Sequence, residues 1–124
     1  MRVLVVDGAN VVGSRPDGWW RDRPGAARRL HDRLVAASLG YDEVVLVLEG
    51  QARRGVAAGR LPEVTTVHAA GEGDDTVVGE VRRRRSRDPD PPEVQVVTAD
   101  RELCGRVIRA GGGTRSPGWL LDRL

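Results

Sequence analysis

Short apolar runs recur along the chain. Residues 3–6 form an uninterrupted apolar run, residues 43–48 repeat this pattern, and residues 93–98 repeat it more weakly. Continuous rather than alternating apolar runs are typical of strands that are buried on both faces of a parallel sheet. Residues 64–67 predict a short edge strand and residues 113–115 a last one. The pattern therefore predicts a sheet of four or five strands.

Helical periodicity fills the stretches between these strands. Residues 24–39 carry alanine and leucine at helical spacing, with Gly40 where a C-cap belongs. Residues 74–85 and 101–110 each carry an apolar stripe, and residues 117–124 predict a closing helical turn. Alternating strands and helices predict an α/β three-layer sandwich with right-handed crossovers around a parallel sheet.

Composition narrows the chemistry that this fold can carry. A length of 124 residues indicates one domain, and the single Cys104 excludes an intramolecular disulfide and a cysteine-rich zinc site. All 20 basic residues are arginine, which excludes P-loop, Schiff-base and receiver-domain chemistry because each needs a lysine. No apolar run approaches the roughly 18 residues of a membrane span. We therefore expect a soluble, cytoplasmic protein with no membrane partner.

A carboxylate follows each strand of the predicted core. Asp7 follows the first strand, Glu49 the second, Asp74 and Asp75 the third, and Asp100 the fourth. The carboxyl ends of parallel strands meet at one edge, so these acids should crowd one crevice. Two unit charges about 4 Å apart repel by roughly 4 kcal/mol at an effective dielectric near 20. Such a cluster needs a cation or bound protons, and oxygen ligands favour Mg²⁺ or Mn²⁺.

Each acid also has a purely structural interpretation. Asp100 lies where a helix N-cap belongs, and Asp74 and Asp75 open a helix, where negative charge favours the dipole. Glu49 precedes Gly50 and has the position expected of an acid in a loop without a functional role. Asp7 ends a buried strand and precedes a glycine, so we expect it to have no cap to make. A functional role is favoured most strongly for Asp7.

Three blocks of sequence carry a resemblance to a known family. They are Val-Asp-Gly-Ala-Asn at 6–10, Gly-Asp-Asp with a valine-rich helix at 73–81, and Val-Val-Thr-Ala-Asp-Arg at 96–101. In this order and spacing they resemble the NYN domain of the PIN-like nuclease superfamily, and they cover most of the chain. The resemblance implies a single NYN/PIN-like domain over residues 1–124 with strand order 3-2-1-4-5. Strands one and four would then lie side by side.

The same resemblance implies a divalent-metal-dependent ribonuclease that holds one or two Mg²⁺ or Mn²⁺ ions. It implies these catalytic residues: Asp7, Asn10, Asp74, Asp75 and Asp100. Asp7 and Asp100 would be metal ligands, and Asn10 would orient the first loop or a metal-bound water. Either Asp74 or Asp75 fits the middle position, and we prefer Asp74 as the third ligand. The second strand ends in Glu49 where relatives tend to have Asp, which leaves its role open.

The loop after the first strand suggests a surface for RNA. It carries an aromatic pair among arginines, at Arg15, Trp19, Trp20, Arg21 and Arg23. Bases stack on aromatic rings and guanidinium groups bind phosphates, so this composition suits RNA. A lid over the core or a dimer contact explains the tryptophans equally well. Arg101 begins a helix beside Asp100 and is well placed to meet a phosphate.

Other polar residues favour structural roles. The run at residues 82–85 lies at the far end of its helix and predicts a solvated face. His31, His68 and Cys104 have no partners at metal-ligand or nucleophile spacing, so we interpret them as structural.

Two rival functions stay open at this stage. One is a catalytically silent RNA-binding or protein-interaction module, and the other is a metal-dependent phosphohydrolase of small nucleotides. A Rossmann dehydrogenase is disfavoured because residues 8–13 keep only the outer glycines of the dinucleotide fingerprint. Ala9 likewise disfavours an aspartyl-phosphate enzyme, which needs Asp-x-Asp. The identity of the RNA, homo-oligomer formation and a separate specificity partner are left open by the sequence.

Overall fold

A computed structural model describes residues 1–86 and 89–124. The strands are β1 (Arg2–Asp7), β2 (Glu43–Leu48), β3 (Gly59–Arg60), β4 (Thr65–His68), β5 (Glu93–Val97) and β6 (Gly113–Arg115). The helices are α1 (Gly8–Gly13), α2 (Arg23–Ala36), α3 (Gly73–Ser86), α4 (Arg101–Arg109) and α5 (Pro117–Leu121). Two 3₁₀ turns lie at Trp19–Arg21 and Gly50–Arg54.

The strands form one sheet in the order β3-β4-β2-β1-β5-β6. All neighbouring pairs are parallel except β3 with β4. The predicted α/β sandwich is confirmed, and the five predicted strands have the expected PIN-like order. The structure adds β3 outside β4, which makes β4 an inner strand rather than the predicted edge. The sequence gives no apolar signal for β3 because it consists only of Gly59 and Arg60.

The two faces of the sheet carry separate halves of the core. Alternate residues of β1 point to opposite faces, so Leu4 and Val6 pack with α1, α2 and α5, whereas Val3 and Val5 pack with α3 and α4. All four side chains are fully buried. Burial on both faces explains why the strand reads as an unbroken apolar run.

The sequence did not predict helix α1, which is stabilised by contacts with other parts of the fold. The Asp7 side chain accepts a hydrogen bond from the Asn10 backbone N–H and so caps the helix, while Val11 is buried in the core. A β-carbon at Gly8 would lie 2.6 Å from the Val47 carbonyl oxygen. Only glycine therefore lets α1 start directly against β2.

The other helices follow the prediction with shorter ends. Helix α2 ends at Ala36, before the predicted C-cap Gly40, whose φ of 77° instead serves the turn into β2. Helix α5 ends at Leu121 rather than at residue 124. Among the described residues, no helix has both the length and the apolar character that crossing a bilayer requires.

The arginine run on α3 differs from the predicted solvated face. Arg82 and Arg83 are exposed, but Arg84 is half-buried and bonds the carboxylates of Glu80 and Glu43, the latter at 2.7 Å. Glu80 is 4% exposed and also pairs with Arg83. The helical pattern missed this cluster because Glu43 comes from a distant strand.

Candidate active site

Asp7 is the most buried acid at the carboxyl edge of the sheet, with 5% of its surface exposed. Its Oδ2 accepts a hydrogen bond from the Thr98 hydroxyl at 3.0 Å, and its Oδ1 accepts one from the Asn10 N–H at 3.4 Å. The expectation that Asp7 has no cap to make is therefore wrong. Burial, and to a smaller extent the charges of Asp74 and Glu49, raise its pKa from 3.8 to about 6.

Thr98 joins Asp7 to Asp100. Thr98 is 3% exposed and follows β5, the neighbour of β1. Its hydroxyl accepts a hydrogen bond from the Asp100 N–H at 3.2 Å, so its single proton is left for Asp7. Asp100 in turn caps α4 by accepting a bond from the Leu103 N–H at 3.0 Å. One buried hydroxyl thus helps to position both the Asp7 side chain and the Asp100 backbone.

Asn10 connects α1 to the same segment. Its side-chain oxygen accepts a hydrogen bond from the Ala99 N–H at 2.8 Å. Asn10 therefore holds the loop after β5. The implied role of Asn10 in orienting the loop after β1 or a metal-bound water stays a prediction. The two segments that carry Asp7 and Asp100 are joined twice, through Thr98 and through Asn10.

Glu49 and Asp74 form the other side of the crevice. The Glu49 carboxylate accepts a hydrogen bond from the Gly73 N–H at 3.1 Å and so ties the end of β2 to the start of α3. Partial burial raises the pKa of Asp74, and the charges of Asp100 and Glu49 raise it further. Asp75 lies on the outer side of α3, with its side chain 86% exposed and bonded to Arg106 at 2.9 Å. The structure places Asp74, and not Asp75, among the other acids.

These acids form an oxygen-only donor set whose members repel one another. In residues 1–86 and 89–124, no three His, Cys, Asp or Glu side chains converge closely enough to enclose a metal ion. The acids nevertheless interact electrostatically, because the pKa of Asp7 responds to Asp74 and that of Asp74 responds to Asp100. Hard carboxylate oxygens with mutual repulsion fit the chemistry of Mg²⁺ or Mn²⁺. An ion held by one or two of the carboxylates of Asp7, Asp74 and Asp100 would keep waters in its remaining positions.

A cavity of about 350 Å³ adjoins the acids. Gly8, Glu49 and the half-buried Trp19 are among its lining residues. The guanidinium of Arg23 lies 5.3 Å from the centre of the Trp19 ring. This cavity therefore combines an aromatic wall with a positive charge, and we call it the tryptophan pocket.

The remaining predicted RNA contacts are dispersed around that pocket. Trp20 packs edge-on against Trp19 at 5.9 Å, is 50% exposed, and has the Arg21 guanidinium 6.0 Å from its ring centre. Arg15 is exposed and lies 3.9 Å from Asp122. Arg101 is exposed at the first position of α4, beside Asp100. The structure thus places Trp19 in the cavity that Glu49 also lines and leaves Trp20 on the outer surface.

Sequence reasoning did not assign a role to Thr98. The available signal is a threonine at the end of an apolar strand, two residues before an N-cap aspartate, because a hydroxyl there can bond the capping backbone. Its bond to Asp7 has no local signal, because the two residues are 91 positions apart.

Comparison with known proteins supports the fold. No protein-family model matches the chain, and the search of curated proteins also finds no match. Among solved structures, the chain is similar to the crystal structure of Rae1 (YacP) from Bacillus subtilis. The TM-score is 0.73 and the sequence identity 20%, and the alignment covers 98% of this chain and 74% of that chain. At this identity the likeness supports a shared fold.

Proposed function

We propose that this chain is a divalent-metal-dependent ribonuclease of the NYN type. The observation that carries the proposal is the environment of Asp7, a buried carboxylate whose pKa is raised to about 6 in the presence of further acids. Strongly perturbed groups of this kind concentrate at functional sites. The three sequence blocks and the fold favour a nuclease over other functions for the same acids.

The protein's own groups position the reaction. Asp7, Asp74 and Asp100 would hold Mg²⁺ or Mn²⁺, with Glu49 fixing the start of the helix that bears Asp74. When bound, such an ion lowers the pKa of the attacking water and neutralises charge on the phosphate oxygens. Thr98 and Asn10 keep the two main segments in register, so the acids are arranged before the substrate arrives.

The substrate class follows from the tryptophan pocket. An unpaired base can stack on Trp19, while Arg23 contributes positive charge beside the phosphates. Single-stranded RNA suits this arrangement because its bases are free to stack. Cys104 is an unpaired thiol, which is consistent with action in a reducing compartment such as the cytoplasm.

Cleavage of single-stranded RNA by the purified protein tests the proposal. We expect cleavage with Mn²⁺ or Mg²⁺, loss of cleavage with EDTA, and loss in Asp7→Asn and Asp74→Asn. Asp75→Asn is the matched control, since it removes the same charge from the next position of α3, and it should retain activity. Circular dichroism should show that all three variants are folded.

The alternatives give different results in this experiment. RNA binding without cleavage under any metal condition would indicate the silent relative. Hydrolysis of mononucleotides but not of RNA would indicate the phosphohydrolase. Equal loss in Asp74→Asn and Asp75→Asn would overturn the assignment of Asp74.

A further inference from the structure

A second cavity, of about 420 Å³, lies where α1, α2 and α5 meet. Its apolar lining includes the buried residues Val11, Ala26 and Leu30. Its charged lining consists of the exposed residues Arg15, Arg29, Arg33 and Asp17. We call it the arginine groove. It lies on the face of the sheet opposite to α3 and α4.

The arginine groove carries more positive than negative charge, with Asp17 in its lining and Asp122 beside Arg15. In the described part of the chain, no carboxylate lies within ion-pair distance of Arg29 or Arg33. These two residues are four positions apart on α2, a spacing at which like charges repel. On the same helix, Arg28 pairs with Asp32 at the same spacing, at 3.2 Å. The groove therefore concentrates positive charge that an anion would stabilise.

The arginine groove adjoins the tryptophan pocket. Val12, near the end of α1, lines both cavities. Gly8, at the start of the same helix, borders the pocket beside Glu49. At about 1.5 Å per helical residue, Val12 lies about 6 Å along α1 from Gly8. A strand that occupies the pocket can therefore extend past Val12 into the groove.

We propose that the arginine groove binds the phosphate backbone of the RNA strand whose neighbouring nucleotides occupy the tryptophan pocket. Arg29 and Arg33 contact the phosphates, and the apolar lining contacts the ribose and base faces. The position of the groove beside the tryptophan pocket favours RNA over an acidic protein as the occupant. The proposal rests on the proposed function and adds a binding site on α2 to it.

RNA binding in EDTA tests this site without requiring cleavage. The dissociation constants of fluorescent oligonucleotides of about 4 and about 12 nucleotides are measured for wild type and for Arg29→Gln/Arg33→Gln. We expect the double variant to bind the longer strand about tenfold more weakly. The slope of log K against log salt should fall by about 1.4, at about 0.7 per lost phosphate contact. The affinity for the shorter strand should change less than that for the longer one, because fewer of its phosphates extend beyond the tryptophan pocket.

The matched control is Arg82→Gln/Arg109→Gln, which removes two exposed helical charges from the opposite face of the sheet. It should change the affinity for the longer strand by less than about twofold. Equal weakening in both double variants would overturn the site and leave the nuclease proposal intact. Wild type that binds RNA without cleaving it would overturn the nuclease and leave the site intact. If Arg29→Gln/Arg33→Gln keeps the wild-type affinity for RNA but loses affinity for an acidic peptide, the groove is a protein-docking surface and the proposal is overturned.

Discussion

Two groups of carboxylates lie at opposite ends of β2, and they differ in whether the chain neutralises their charge. At its amino end, Glu43 and the buried Glu80 are joined by Arg84, whose pKa is raised because hydrogen bonding to Glu43 and the charge of Glu80 outweigh its burial. At its carboxyl end, Glu49 lies near Asp7 and Asp74, and its charge contributes to the raised pKa of both. The first group is neutralised by the chain itself, whereas the second is not.

The difference separates a cluster that the chain neutralises from one that it leaves charged. A buried charge that is paired within the protein stabilises its local arrangement. If one partner is removed, the other charge stays buried without compensation, which lowers stability. A cluster of like charges costs stability unless something external neutralises it. We therefore expect substitutions at the first group to change stability and those at the second to change activity.

The largest effect should come from Asp100→Asn. We expect RNA cleavage to fall by about 1,000-fold, equivalent to about 4 kcal/mol of transition-state stabilisation. Asn caps helices as well as Asp does, so stability should change little. Measurements of kcat/KM and urea unfolding separate the two effects. The control Glu102→Gln neutralises an exposed acid in the first turn of α4 and should retain activity. Retained cleavage in Asp100→Asn would remove Asp100 from the site.

Arg84→Met should lower stability and leave RNA cleavage unchanged. Removal of the guanidinium leaves Glu80 and Glu43 without their shared partner, so the free energy of unfolding should fall by about 3 to 4 kcal/mol. Urea denaturation measures this loss. The exposed Arg82→Met on the same helix should change stability by less than about 0.5 kcal/mol. Cleavage per folded molecule should stay near the wild-type rate in both. Equal losses of stability would contradict the structural role of the cluster.

The pKa of Asp7 predicts an unusual pH dependence in EDTA. Because the folded pKa of about 6 exceeds the ordinary 3.8, the folded state binds the proton more tightly. Its stabilising contribution is complete below about pH 4 and is lost as the pH rises through about 6. Asp7→Asn should therefore be more stable than wild type at about pH 7, by up to about 3 kcal/mol. Thermal unfolding from about pH 4 to about pH 8 tests this, and the difference between the two proteins should vanish at the acid end.

A slightly smaller effect should come from the metal itself. Mn²⁺ or Mg²⁺ at about 100 times its dissociation constant should raise the free energy of unfolding by about 2.7 kcal/mol. Asp7→Asn should lose this stabilisation, whereas Asp75→Asn should keep it. Thermal unfolding with and without the ion provides the measurement. Stabilisation that survives in Asp7→Asn would place the ion elsewhere.

The sheet could be predicted from the sequence because its signal is local. Strands buried on both faces read as apolar runs, which located β1, β2 and β5 and, more weakly, β4 and β6. The strand order came from the family resemblance rather than from periodicity. Helix α1 has only six residues, with glycine at both ends, so intrinsic propensity gave no reason to expect it.

The candidate site was predictable only in its composition. The acids follow the strands, so their presence at one edge follows from the fold. Their connections join residues far apart in the chain, as in the bonds from Asn10 to Ala99 and from Glu49 to Gly73. The pairing of Arg84 with Glu43 was missed for the same reason. Local patterns carry no information about such contacts.

The hydroxyl of Thr98 is one of two connections between the segments that carry Asp7 and Asp100, and it serves both acids through a single oxygen atom. The Asp7 side chain and the Asp100 backbone N–H both bond to it, so a movement of β5 relative to β1 would strain the bond to Asp7. Valine is nearly isosteric at this position but would sever both bonds at once. The spacing of the two acids is thereby set by the pairing of β1 with β5 rather than by the loops around the crevice.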